Sequence, residues 1–121
     1  MEGINMYEDL AKNLKNNIEI MTHTFKNNNL QILNIGIKRC GGDDADFDVL
    51  FEVSTIKGSS VENDLSVNLN LYNNDGEIIF HESFIINCDH FQGYDTGSIN
   101  CYLDSKALLL ASKGRLYCTV I

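Results

Sequence analysis

The sequence has no proline and no tryptophan, and it is short of bases: nine Lys and Arg stand against seventeen Asp and Glu in 121 residues, a formal charge of −8. It has no run of about 18 apolar residues, which excludes a helical membrane span. It opens "MEGINMYEDLAKNLKNN", without a basic stretch followed by an apolar one, so no secretory leader is read here and a cytoplasmic location is expected. There is no Gly-x-Ser-x-Gly elbow, phosphate loop or dinucleotide fingerprint. The four cysteines, Cys40, Cys88, Cys101 and Cys118, form no C-x-x-C pair, and in a reducing compartment their thiols are expected to be free. Fifteen asparagines with abundant isoleucine match the codon usage of an A+T-rich genome such as a low-GC bacterium, a mobile element or a phage.

A chain of this length is one domain, and about two-thirds of its unfolded surface can be buried without staples. The first part has helical period. Tyr7, Leu10, Ala11, Leu14, Ile18, Met21 and Phe25 recur at steps of three and four, which predicts one amphipathic helix from Ile4 to Lys26. The asparagines at 27–29 end it, since asparagine tolerates the left-handed conformation. Beyond Asn29 the period is two. Leu33, Ile35 and Ile37, then Phe47, Val49, Phe51 and Val53, then Leu65, Val67, Leu69 and Leu71 each mark the buried face of a strand, with Ser66, Asn68 and Asn70 facing outward. "NNDG" at 73–76 predicts a tight turn into "EIIFHESFII". "NCDHFQGYDTGS" reads as a loop before the short strand "INCYL", "DSKALLLASKG" as a short helix capped by Asp104 and ended at Gly114, and "RLYCTVI" as a last strand. The expected fold is α+β: an N-terminal amphipathic helix (1–29) packed on an antiparallel β-sandwich of about six strands (30–121).

The run "VNLNLYNNDGEIIFHESFII", followed by a glycine-containing loop and "SINCYL", resembles FxLYD-type and related immunoglobulin-like sandwiches. Leu69, Leu71 and Tyr72 match the Phe-x-Leu-Tyr-Asp pattern in type, with leucine in place of phenylalanine and Asn73 in place of aspartate. The resemblance covers under a third of the chain and implies a β-sandwich, with no activity attached.

Four aspartates, Asp43, Asp44, Asp46 and Asp48, fall within six residues. An EF-hand loop counted from Asp44 would need glycine at its sixth position and glutamate at its twelfth; Val49 and Thr55 stand there. A hairpin turning at Gly41-Gly42, with Asp46 and Asp48 on the solvent side opposite Phe47 and Val49, accounts for the alternation without a metal. His81, Cys88, His90 and Cys101 have the atoms of a zinc site but only one closely spaced pair. A cysteine nucleophile would need a histidine and an orienting group beside it, and no such set is visible, so no enzyme, metal or cofactor is expected. Cys118 heads a C-terminal four-residue box of prenylation form, but "RLYCTVI" reads as a core strand.

Residues 40–104 carry thirteen acids and a single base, Lys57, a local charge of −12. Crowded like charge costs folding free energy, and a partner of opposite sign offsets it. Nucleic acid and anionic membranes are excluded as direct ligands, because they demand basic surfaces. A small acidic chain without catalytic motifs has the profile of toxin-neutralising immunity proteins and phage-encoded inhibitors. It points to a non-enzymatic binding protein that occludes a basic partner, such as a nuclease toxin or a nucleic-acid-processing effector. Asp43, Asp44, Asp46 and Asp48, with Glu62, Asp64, Asp75 and Glu77 at other turns, would meet the partner's Lys and Arg, and Phe91 and Tyr94 would anchor it. The alternative is a β-sandwich module that binds a small ligand through the loop from His90 to Gly97 or assembles with other subunits.

Overall fold

In the computed structural model, residues 12–39, 45–103 and 110–121 are described. They form a helical turn, α1 (12–16), then β1 (Ile18–Ile20), α2 (Thr22–Lys26), β2 (Leu30–Arg39), β3 (Ala45–Thr55), β4 (Leu65–Tyr72), β5 (Ile78–Ile86), β6 (Tyr94–Leu103) and β7 (Lys113–Val120). One sheet has the order β1-β7-β4-β5 and the other β2-β3-β6. All pairs are antiparallel except β1 with β7. Among the described residues no helix is long and apolar enough to cross a membrane.

The inner faces of the two sheets share one core. Phe47, Val49, Phe51 and Val53 of β3 and Ile99 and Cys101 of β6 meet Leu65, Val67, Leu69 and Leu71 of β4 and Leu116 and Cys118 of β7. The Phe51 ring stands edge-on to Phe84 of β5, with centroids 5.4 Å apart, an arrangement that aromatic quadrupoles favour. Leu69 and Leu71 are wholly buried, and full burial of such a side chain contributes about 1.5–3 kcal/mol. They and Tyr72, which carry the immunoglobulin-like resemblance, lie on β4, between β5 and β7.

The expected α+β fold with a docked N-terminal helix is not what forms; the described residues are mostly β, with short helices at 12–16 and Thr22–Lys26. Where one helix was expected from Ile4 to Lys26, the described part reads helix, strand, helix, and residues 4–11 lie outside the described residues. Three causes act at Asn17–Met21. Asn17 closes α1 by donating from Nδ2 to the Asn13 carbonyl at 2.8 Å. The edge of β7 then offers backbone partners: Gly114 N–H donates to Asn17 O at 3.2 Å and Met21 N–H to Leu116 O at 2.9 Å. Ile18 and Ile20 are β-branched and favour an extended chain. Ile20 does not belong to the helical stripe, yet it packs on the core beside Ile18, as period two requires. Leu14 and Phe25 are buried from the two short helices instead of from one long one.

Three further expectations change. In β2 the register shifts between Ile32 and Asn34, so Leu33 is exposed while Leu30 and Ile32 join Ile35 and Ile37 on the core side. The stretch from Tyr94 to Ser98, expected as loop, is the first half of β6. Gly114, expected to end a helix, lies in β7 against Leu71, Asn70 O and Ile18, where a Cβ would be crowded; of the helix expected from Asp104 to Gly114, residues 104–109 lie outside the described residues, Leu110 is helical and residues 111 and 112 are not. The asparagine stop at 27–29 forms as expected: Asn29 has φ 61°. So does the 73–77 turn, where Asn73 Oδ1 accepts the N–H groups of Asp75 and Glu77 at 3.0 and 2.9 Å and Gly76 takes φ 79°.

Candidate interaction face

The β2-β3-β6 sheet presents its outer face in cross-strand rows. Register sets Gln31, Ser54 and Tyr94 in one row, and Asn34, Glu52 and Thr96 in the next. Gly36, Leu50 and Ser98 follow, then Lys38, Asp48 and Asn100, and finally Asp46 beside Tyr102. Because strand side chains alternate, Phe47, Val49, Phe51 and Val53 take the core and force Asp46, Asp48, Leu50 and Glu52 outward.

The carboxylates are held from the side. Asn100 Nδ2 donates to Asp46 Oδ1 at 2.8 Å and to Asp48 Oδ1 at 2.9 Å. One amide thus bridges two acids that would otherwise repel each other. Glu52 accepts from the Tyr94 hydroxyl at Oε2 (2.8 Å) and from Asn34 Nδ2 at Oε1 (3.3 Å). Glu52 lies four residue steps along β3 from Asp48, about 13 Å at strand rise. Between them the middle row is low: Gly36 has no side chain, a Cβ there would meet only open space, and Ser98 is small. Leu50, half-buried, is the apolar patch of the row. Tyr94 and Tyr102 stand near opposite ends of β6 and are 53% and 61% exposed. The face therefore carries acid on both sides of this middle row, with Lys38 across from Asp48, and an aromatic ring toward each end. Behind it, burial pushes the Cys101 thiol up to about 12, helped by the charges of Asp48, Glu82 and Asp46; at neutral pH it is a protonated, buried thiol.

Of the residues singled out in the sequence, Asp46, Asp48 and Tyr94 meet on this face. Asp43 and Asp44, with the Gly41-Gly42 turn, lie outside the described residues. Asp75 and Glu77 sit in the β4–β5 turn, and Glu77 Oε1 accepts from Asn73 Nδ2 at 3.1 Å. Glu62 and Asp64 lie in the β3–β4 connection of the other sheet's entry. Asp64 Oδ1 accepts the Cys88 N–H at 2.9 Å, and this bond lowers its pKa from the ordinary 3.8; the carboxylate fixes the loop after β5. Phe91, expected as an exposed anchor, is 9% exposed and belongs to the core. Its place on the face is taken by Tyr102; Glu52 completes the acidic set, and Asn100 bridges Asp46 and Asp48. The sequence carried a signal for them: residues at even spacing on β3 and β6 outside the apolar alternation. The strand from Tyr94 onward hid it, because Asp95 and Gly97 look like loop residues.

The opposite outer face, on the β1-β7-β4-β5 sheet, differs in kind. Ser66, Asn68 and Asn70 do point outward, yet they are buried beneath neighbouring side chains. Asn68 Oδ1 accepts from Ser66 Oγ and Ser83 Oγ, each at 2.7 Å, and its Nδ2 donates to Thr119 Oγ1 at 3.0 Å. Asn70 Oδ1 lies 2.6 Å from His81 Nδ1, so that nitrogen carries the proton. Arg115 and Lys113 lie over the Tyr72 ring, with Arg115 also 3.5 Å from Glu19. His81 faces this outer surface whereas Cys101 faces the core, so the β1-β7-β4-β5 sheet separates two of the side chains considered for zinc. Among the described residues no three His, Cys, Asp or Glu side chains are grouped as a metal site.

No family model, curated protein or solved structure matches the chain.

Proposed function

We propose that this protein is a non-enzymatic binding protein of the cytoplasm that neutralises a basic protein partner by covering it with the outer face of the β2-β3-β6 sheet. The observation that carries the reading is the meeting of Asp46, Asp48 and Glu52 on one flat surface with two tyrosines more than half exposed. Exposed aromatic side chains supply contact area at low entropy cost, and carboxylates already oriented by Asn100, Asn34 and Tyr94 lose little freedom when Arg or Lys arrives. A nuclease toxin or a nucleic-acid-processing effector is the partner class with the matching charge. Immunity proteins and phage-encoded inhibitors are the class of protein that the reading places it in.

The test is affinity capture from the native host with the wild-type chain and with the triple variant Asp46→Asn, Asp48→Asn, Glu52→Gln, followed by mass spectrometry. A basic protein retained by the wild type and lost by the variant is the expected result. A partner retained equally by both would refute this face as the binding surface.

A further inference from the structure

At the end of the molecule where α2 turns into β2 and β3 leaves for β4, a cavity of about 590 Å3 is lined by residues 26–29, 56–57, 60–63 and Leu65. That volume suits a small ligand. Its shape is set by Asn29. In the left-handed conformation, this residue donates from Nδ2 to the carbonyls of Lys57 (2.8 Å) and Ser60 (3.1 Å) and accepts the Lys57 N–H at Oδ1 (3.0 Å). The Ile56 N–H adds a bond to Asn29 O at 3.0 Å. Two segments far apart in sequence are thereby clamped into one wall.

The chemistry of the lining is unlike the rest of the chain. Lys57 is the only base among residues 40–104, and the fold brings it to the same cavity as Lys26. Neither lysine makes an ion pair with a described residue. Both lysines are exposed members of this lining, alongside the carboxylate of Glu62. Asn27, Asn63 and Ser60 add amide and hydroxyl groups, Glu62 adds an acceptor, and Ile56, which is exposed, adds an apolar surface.

We infer that this cavity binds a phosphorylated sugar, either a free sugar phosphate or the sugar phosphate of a nucleotide. The phosphate would lie between Lys26 and Lys57, the sugar hydroxyls against Glu62 and the asparagine amides, and the apolar side of the ligand on Ile56. This site is separate from the protein-binding face and does not depend on it.

The test is a titration of the 15N-labelled full chain with AMP and, separately, with glucose 6-phosphate, following amide shifts, with sodium sulfate at matched ionic strength as the control. Saturable shifts centred on 27–29 and 56–63 are expected with at least one of the two. Binding of AMP alone assigns a nucleotide, and binding of glucose 6-phosphate alone assigns a free sugar phosphate. Lys26→Ala and Lys57→Ala, each checked for a dispersed spectrum, should each weaken binding about tenfold or more, and Lys57→Arg should retain most of it. The inference is overturned if neither compound gives saturable shifts, if sulfate reproduces them, or if both alanine variants bind like the wild type.

Discussion

The hydroxyl of Tyr94 donates to Oε2 of Glu52 at 2.8 Å, joining residues 42 apart in sequence across the β3–β6 pair. Tyr94 sits in the row next to Glu52, so its side chain leans along the sheet to reach the acid. A tyrosine spent this way is pinned in one orientation while keeping half its surface in water, and Glu52 is pinned with it. Asn100 does the same for Asp46 and Asp48 at the other end of the face. Orienting charges before a partner arrives reduces the ordering cost of association.

The core behind this face leaves no room at Gly97. A Cβ built there would overlap the Phe51 ring, which is 1% exposed and held edge-on by Phe84. Gly97→Ala is expected to lower stability by about 1–3 kcal/mol through overpacking, measured by urea unfolding. Phe51→Leu in the same chain should recover part of that loss by making space. A Gly97→Ala variant as stable as the wild type would contradict the packing described.

On the opposite sheet, Asn68 is the hub of a covered polar ladder. Removing its carboxamide leaves the hydroxyls of Ser66 and Ser83 without their acceptor and Thr119 without its donor. Asn68→Ala should cost about 1–3 kcal/mol in the same unfolding assay. A change within about 0.5 kcal/mol, the range of an uninvolved surface site, would show that water replaces these bonds at no cost.

Acid stability should carry a signature of Asp64. Its pKa is lowered in the folded protein, first by the Cys88 backbone N–H and then by the Cys88 side chain. A lowered folded value means that the contribution to stability is complete above the ordinary value of 3.8 and is lost as pH falls through the folded value. The expected effect is small, because the group is exposed. Asp64→Asn should therefore flatten the decline in melting temperature below about pH 4 and leave its shape above pH 5 unchanged. An unaltered acid limb would show that the loop bond does not couple to stability.

Much of the strand content was legible because the inner residues of β3 and β4 alternate strictly. Val49, Phe51 and Val53 take the core where the alternation says they should, and Asp46 and Asp48 are pushed outward by the same rule. The N-terminal error has a physical origin. Leu14, Ile18 and Phe25 fall at helical spacing, but the free edge of β7 competes for the backbone at Ile18–Ile20, and an edge that needs a partner is a tertiary fact that no local period records. Gly97 misled in the same way: glycine in a polar stretch signals a loop until the Phe51 ring that requires it is known. The face was half legible. Its acids stood out in the charge map, but Glu52, Asn100 and Tyr102 join them only through strand register. That Lys26 and Lys57 line one cavity depends on Asn29 reaching across to the β3–β4 loop, which spacing could not reveal.

The central claim is that the acidic face of the β2-β3-β6 sheet captures a basic protein. It is tested most directly by association kinetics of the captured partner with the wild type and with the Asp46→Asn, Asp48→Asn, Glu52→Gln variant, at low and at high salt. Asparagine and glutamine keep an oxygen for Asn100 and Tyr94, so the variant should fold. The account predicts that it associates about tenfold or more slowly at low salt and that the two rates converge as salt rises, because charge at a rim acts chiefly on the on-rate and is screened. Equal rates for the two proteins at low salt, or a wild-type rate that does not change with salt, would contradict it.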